Sequence, residues 1–216
     1  MTRAFSILLF LAFSGAITVA RAQEVPGCGV LTNHYGPFDF RLAKNKQNWL
    51  PVVEHAHFTP QVEELKSGQS APLINDIDYT LRAFPNHARA LASVARFSLQ
   101  GGKFRDEIAI SSAECAFDRA IAFAPDDPAV RVIYGNYLYK RKRFDAAREQ
   151  YEAALKFYPD SAEINYNAGL FYTEVGDLVR AKECAKIAYD QGYPLPGLNN
   201  RIAALEARAP HQTEKK

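Results

Sequence analysis

The chain lacks a charge excess once its first segment is set aside, lacks a second apolar run of membrane length, and lacks the short motifs of the common catalytic sites. It carries 26 Lys and Arg against 24 Asp and Glu. Residues 1–22 hold two of the arginines and no acid, which leaves 24 of each sign and a formal net charge of zero beyond them. A surface that tracks a phosphate backbone needs a cationic surplus, so nucleic acid is excluded from the expected partners. After residue 22 nothing approaches the roughly 20 apolar residues of a spanning helix. There is no GxSxG, Walker loop, Rossmann fingerprint or HExxH pair. Three cysteines, Cys28, Cys115 and Cys184, occur without any CxxC spacing. That speaks against redox or nucleophilic chemistry and makes Cys115 and Cys184 ordinary buried small residues by default. An odd count leaves one thiol over, and the sequence does not say which pair, if any, is bonded.

What stands at the start is a leader. Met1-Thr2-Arg3 supplies one positive charge, Ala4 to Val19 is uncharged and rich in Phe, Leu and Ile, and Ala20-Arg21-Ala22 places small residues where signal peptidase needs them. The expectation is an exported, periplasmic chain cleaved after Ala22. Ser6, Ser14, Gly15 and Thr18 interrupt the apolar run and disfavour a retained anchor. Val25-Pro26-Gly27-Cys28 loosely resembles a lipobox, although Glu24 and Pro26 argue against it. A membrane enters only if Cys28 is lipidated or the signal is retained.

Internal periodicity gives the architecture. Pro125, Pro159 and Tyr193 recur at intervals of 34 residues, each ending an apolar-periodic segment. That is the period of the tetratricopeptide (TPR) repeat. Gly135, Leu138, Ala147, Tyr151 and Ala154 fall in its signature slots, and Gly169, Tyr172, Ala181, Ala185 and Ala188 repeat them, with Gly176-Asp177 in the intervening turn. Small residues let two antiparallel helices approach while larger ones fill the surrounding space. The pattern predicts helices at about 129–141, 145–157, 162–175 and 178–190.

An altered unit precedes these. It starts at Pro85, with Leu91, Val94 and Ala95 in one helix and Ala113, Phe117 and Ala120 in the other. Pro85 to Pro125 spans 40 residues, so six extra residues fall around Gly101 to Ile110. They either lengthen the turn or extend a helix. Leu73 to Phe84 reads as a helix covering the open end, and Leu198 to Arg208 as a C-terminal cap, which a solenoid needs to hide its last apolar face. Residues 23–70 do not follow the repeat and read as an irregular arm, with one helix near Thr59 to Lys66, packed along the solenoid. The organisation is therefore signal peptide 1–22, arm 23–70, an all-α TPR-type solenoid with its cap over 71–208, and a disordered tail 209–216.

The segments Cys28-Gly29, Asn33-His34-Tyr35-Gly36-Pro37-Phe38-Asp39, Val53-Glu54-His55-Ala56-His57-Phe58-Thr59-Pro60 and Asp78 through His87 together resemble a group of exported proteobacterial TPR proteins. The resemblance covers nearly the whole chain after the leader. It implies the same location and fold and adds little on mechanism; the wider TPR superfamily consists mainly of scaffolds that hold peptides or helices on a concave face.

The chemistry-bearing residues each have a structural role open to them. His34, His55, His57 and His87 could supply a zinc site built from several loops, yet no third ligand stands at a recognised local spacing, so hydrogen bonding to backbone groups is expected. Glu63-Glu64 and Asp126-Asp127 read as solvated acids, the second pair also suiting a helix N-terminus before Pro128. Lys140-Arg141-Lys142-Arg143 reads as cations at a helix C-terminus, or else as a local docking patch for an acidic peptide or lipid headgroup. The sequence thus indicates a non-catalytic scaffold without a cofactor, binding another protein or peptide. A metal-binding protein or metal-dependent enzyme using the arm histidines is the alternative. In a TPR solenoid the first helix of each unit lines the groove, which places Arg96, Leu99, Val132, Asn136, Tyr139, Lys140, Tyr166, Leu170 and Thr173 on the binding surface.

Overall fold

A computed structural model describes residues 24–104 and 108–208. The expected signal peptide, its cleavage site and the tail 209–216 lie outside the described residues. In chain order these residues form a short hairpin, β1 (Glu24–Val25) and β2 (Gly29–Val30), then α1 (Ala43–Asn48), α2 (Leu50–His57), α3 (Pro60–Glu63), α4 (Leu73–Ala83), α5 (Ala88–Leu99), α6 (Ala113–Phe123), α7 (Pro128–Lys140), α8 (Phe144–Phe157), α9 (Ala162–Glu174), α10 (Leu178–Asp190) and α11 (Gly197–Arg208). The fold is an all-α, TPR-type helical solenoid in which α5/α6, α7/α8 and α9/α10 are successive antiparallel pairs.

Local chemistry explains where the helices begin and end. The Asp127 carboxylate accepts the Ala129 N–H at 3.0 Å with Pro128 in the first turn, and Ser112 accepts the Cys115 N–H at 3.0 Å, satisfying amides that have no partner within their helices. Helices α5, α7, α9 and α10 all stop at a left-handed residue. In each case the amide after it reaches back, as when Asp177 N–H bonds Tyr172 O and Arg143 N–H bonds Leu138 O, both at 2.9 Å. Glycine takes this conformation at Gly101, Gly176 and Gly192, whereas α7 uses Lys142 at φ 59°, a conformation that costs a side chain roughly 1 kcal/mol.

The predicted small-residue contacts are present. A Cβ on Gly135 would sit 2.8 Å from the Tyr151 ring, and one on Gly169 would sit 2.5 Å from Leu198 and 3.2 Å from Cys184. Aromatic rings then join one pair to the next: Phe117 of α6 stacks on Tyr134 of α7 at 4.5 Å, and Tyr151 of α8 on Phe171 of α9 at 4.8 Å. The six extra residues of the first unit fall in the α5–α6 loop and extend neither helix. Ile110 buries its side chain there, and its N–H donates to Asp78 at 2.9 Å, which pins the loop to α4.

The arm is more ordered than its composition suggested. It contains α1 and α2 as well as a one-turn α3 shorter than the predicted helix over 59–66, and α2 packs against α4. The open end is therefore covered by a helix pair, not by α4 alone. Leu50, Val53, Ala83 and Phe84 form a second small core there, joined by Tyr35, Phe38 and Phe40. Cys28 is disulfide-bonded to Cys115, so Cys115 is a tether between hairpin and α6, which corrects its reading as a plain packing residue. Cys184 is the free thiol, buried, with desolvation pushing its pKa up to about 11.

Buried Asn86 ties arm to solenoid. Its Nδ2 donates to Asp39 and to Asp127, each at 2.8 Å, and its Oδ1 accepts the Phe40 N–H at 2.9 Å. Burial alone would raise the Asp39 carboxyl, but hydrogen bonds from Arg41 and Asn86 outweigh it and bring the pKa down to about 2.

Two expectations follow from this packing. Gly169→Leu places bulk where Leu198 and Cys184 already sit, and its melting temperature should fall by the equivalent of roughly 1–3 kcal/mol; a variant that melts like the parent would show that α9, α10 and α11 are not in this register. Asp39 titrates lower in the folded chain than its ordinary 3.8, so its stabilisation is complete above about pH 4 and is lost as the pH falls toward 2. Melting curves of Asp39→Asn against the parent should converge across that window, and parallel curves would exclude the carboxylate from the arm's attachment.

Candidate functional site

The first helices of the pairs, α5, α7 and α9, present the concave side, and two depressions open between them. The larger, about 380 Å³, lies between α5 and α7 and is lined by Arg96, Leu99, Asn136 and Lys140 together with Ala92, Ala95, Ile133 and Tyr137. Four of the nine sequence-predicted groove residues thus meet in one place. The second, about 310 Å³, lies between the N-terminal halves of α7 and α9, where Val132 meets Ile133, Ile164, Tyr158, Glu163 and Asn167. Ile133 borders both, so the two form one strip. Sequence reasoning missed Ile133 and Asn167 because both stand at the sixth repeat position, one residue beyond the slots assigned to the groove.

Arg96 and Lys140 have no carboxylate within ion-pair distance among the described residues. Arg96 is nevertheless held in place: one Nη donates to the Glu63 carbonyl and to Ser93 Oγ, so the arm builds the edge of the depression without entering it. Asn136 is exposed but its Oδ1 accepts the Tyr151 hydroxyl at 2.9 Å, which leaves only its NH₂ free to meet a ligand.

The other predicted positions are occupied by the protein itself. Tyr139 donates its hydroxyl to Glu174 at 2.8 Å and turns its ring against Phe171. Tyr166 is buried and stacks on Tyr193 at 4.3 Å. Thr173 is buried with its hydroxyl on Leu170 O at 2.7 Å, and Leu170 packs against the core. Helix α11 packs on α9 and α10 as the first helix of a further unit would and lies over the face that carries Tyr166, Leu170 and Thr173, whereas Tyr139 is engaged by α9. These four residues make contacts within the chain and line neither depression.

The histidines do not assemble. His87 accepts the Ala90 N–H at Nδ1, 3.1 Å, so its Nε2 carries the proton and donates to Glu54 at 3.0 Å; both nitrogens are used in capping α5 and holding α2. His57 donates Nδ1–H to Asp76 at 2.8 Å, and the same carboxylate accepts the N–H groups of Gln69, Ser70 and Ala71. His34 and His55 are exposed. Among the described residues no group of three or more His, Cys, Asp or Glu is arranged to hold a metal.

The remaining charged candidates are accounted for individually. Glu63 pairs with Arg89, which also reaches Glu54 at 3.1 Å, and the hydrogen bond from Arg89 holds the Glu63 carboxyl below its usual range. Glu64 is exposed beside Lys66. Asp126 meets Arg41 at 3.1 Å, while Asp127 caps α7, as its place before Pro128 indicated, and is buried, not solvated. Lys140, Arg141, Lys142 and Arg143 are all exposed where α7 ends, and only Arg143 reaches an acid, Glu114, at 3.8 Å.

Comparison with known proteins adds one family. No curated protein matches the chain. The model of the TPR repeat matches residues 135–176, which run from Gly135 in α7 through α8 and α9 to the Gly176 turn. This match, which covers about a fifth of the chain, and the helix pairs around it support a TPR-containing protein.

Proposed function

We propose that the chain is an exported, periplasmic interaction module that holds an extended or helical segment of another protein in the strip formed by α5, α7 and α9, without catalysing a reaction. The observation that carries this reading is the meeting of Arg96, Leu99, Asn136 and Lys140 in one open depression continuous, through Ile133, with an apolar one. TPR repeats generally mediate binding between proteins, and repeats of this kind are generally not enzymes. Two unpaired cations beside apolar area suit a peptide that carries a carboxylate next to an apolar side chain. A periplasmic location is supported by the leader pattern of residues 1–22 and by the Cys28–Cys115 bond, which persists in oxidising compartments. That bond also occupies the sulfur a lipid anchor would need, which favours a soluble form.

Photocrosslinking from Leu99 and Lys140 in the native host, set against Glu149 on α8 as a control, tests the groove. Adducts with one protein from the two groove positions and none from Glu149 are expected; equal capture from all three, or none from the groove, would move the site elsewhere. With the partner in hand, Lys140→Glu should weaken binding about tenfold or more with an unchanged melting temperature. Asn136→Ala should behave differently. It deprives the buried Tyr151 hydroxyl of its acceptor and should cost about 1–3 kcal/mol of stability whatever it does to binding, measurable by denaturant titration; full stability would show that this hydrogen bond is not formed. Mass spectrometry of the secreted form should find Gln23 as its first residue.

A further inference from the structure

Away from the groove, the hairpin lies over α6 and leaves an open cavity of about 340 Å³. Its wall carries two guanidinium groups, Arg82 of α4 and Arg119 of α6, with Thr32, Asn33 and Ser111 around them. Arg82 is neutralised by Asp78 at 2.9 Å and also reaches Asn33. Among the described residues Arg119 has no carboxylate within ion-pair distance. It is 3% exposed, its Nη1 donates to the carbonyls of Cys28 and Val30 at 2.9 and 2.8 Å, and its buried Nε meets no acceptor among them. The nearby carboxylate, Asp78, is already taken by Arg82 on one oxygen and by the Ile110 N–H on the other.

A guanidinium withdrawn from water is costly unless a counter-charge accompanies it, and two carbonyl dipoles supply only part of the compensation. Burial accordingly pushes the Arg119 pKa down, with Asp78 opposing the shift and Arg82 adding to it. The cavity is several times the volume of a water molecule and reaches the size range of small-ligand sites. A planar guanidinium fork matches the oxygen pair of a carboxylate or phosphate.

We propose that this cavity binds a small molecule through an oxyanion group, which Arg119 and Arg82 hold between them while the hydroxyls of Ser111 and Thr32 lie at the rim. The anion completes the charge balance of the wall and bridges α4, α6 and the tethered hairpin. This site is separate from the groove and does not depend on the peptide reading.

The test is calorimetric titration of the intact, disulfide-bonded chain with inorganic phosphate and, separately, with acetate, chloride keeping the ionic strength constant. Saturable binding of at least one anion is expected, and which of the two binds tells a phosphate from a carboxylate ligand. Arg82→Gln should weaken it about tenfold or more and Ser111→Ala by less, as expected for losing a charged and a neutral hydrogen bond. Arg119→Gln should abolish it; should that variant fail to fold, the other two still decide. Absence of saturable binding of either anion, or affinities unchanged in both Arg82→Gln and Ser111→Ala, would overturn the proposal.

Discussion

The contact between Tyr151 and Gly135 is the constraint on which the rest of the stack depends. The ring occupies the space that any side chain at Gly135 would need, so α8 packs its ring directly on the backbone of α7. Its outer face stacks on Phe171 and fixes where α9 begins its own pair. Its hydroxyl reaches Asn136 on the concave side. One side chain thus sets the packing within a unit, the step to the next unit and the rigidity of a groove position. The third unit has Ala185 in the slot of Tyr151, and the bulk over Gly169 comes instead from Leu198 of α11. The cap is therefore a replacement for a missing ring as well as a lid on an apolar face.

Charge balance conceals a second regularity. The acids of the arm and the first helices are consumed inside the structure: Asp76 gathers three backbone amides and His57, Asp127 caps α7 and receives Asn86, and Asp39 binds Arg41 and Asn86. These carboxylates replace the hydrophobic contacts that an irregular segment cannot make. Their internal use leaves Arg96 and Lys140 in the strip and Arg119 under the hairpin without a carboxylate in ion-pair range among the described residues. A chain close to neutral beyond its first 22 residues therefore carries local positive charge at the α5–α7 depression and at the cavity under the hairpin.

The repeats were legible because their spacing reports backbone proximity, a property of small and large residues taken in order. Gly135, Ala147 and Tyr151 carry it without any knowledge of neighbours. The arm was not legible for the converse reason. Helix α2 over Leu50–His57 has Pro51 in its first turn, and its side chains are held by residues remote in sequence, His57 by Asp76 of α4 and Glu54 by His87, the cap of α5. The expected groove positions divide: Arg96, Leu99, Val132, Asn136 and Lys140 line the strip, whereas Tyr139 is engaged by α9, and Tyr166, Leu170 and Thr173 belong to a unit whose face α11 covers. A positional rule describes an internal repeat, and the last repeat of a short solenoid is not one.

That truncation determines what kind of binding the strip can support. With the third face covered, the surface offered by α5, α7 and the start of α9 is small, and only a few side chains can contribute to affinity. On the proposed function, the hold on a partner would rest on how well those few are fixed beforehand. Arg96 is fixed by the carbonyl of Glu63, a residue of the arm, and Glu63 is in turn held by Arg89 on α5. The arm therefore acts on the groove without touching a ligand: its helices α2 and α3, joined to α5 through His87, Arg89 and Ser93, hold one wall at a set distance from Lys140 on the other. A solenoid this short needs such a buttress, since it has no further repeats on that side to hold its first helix in line.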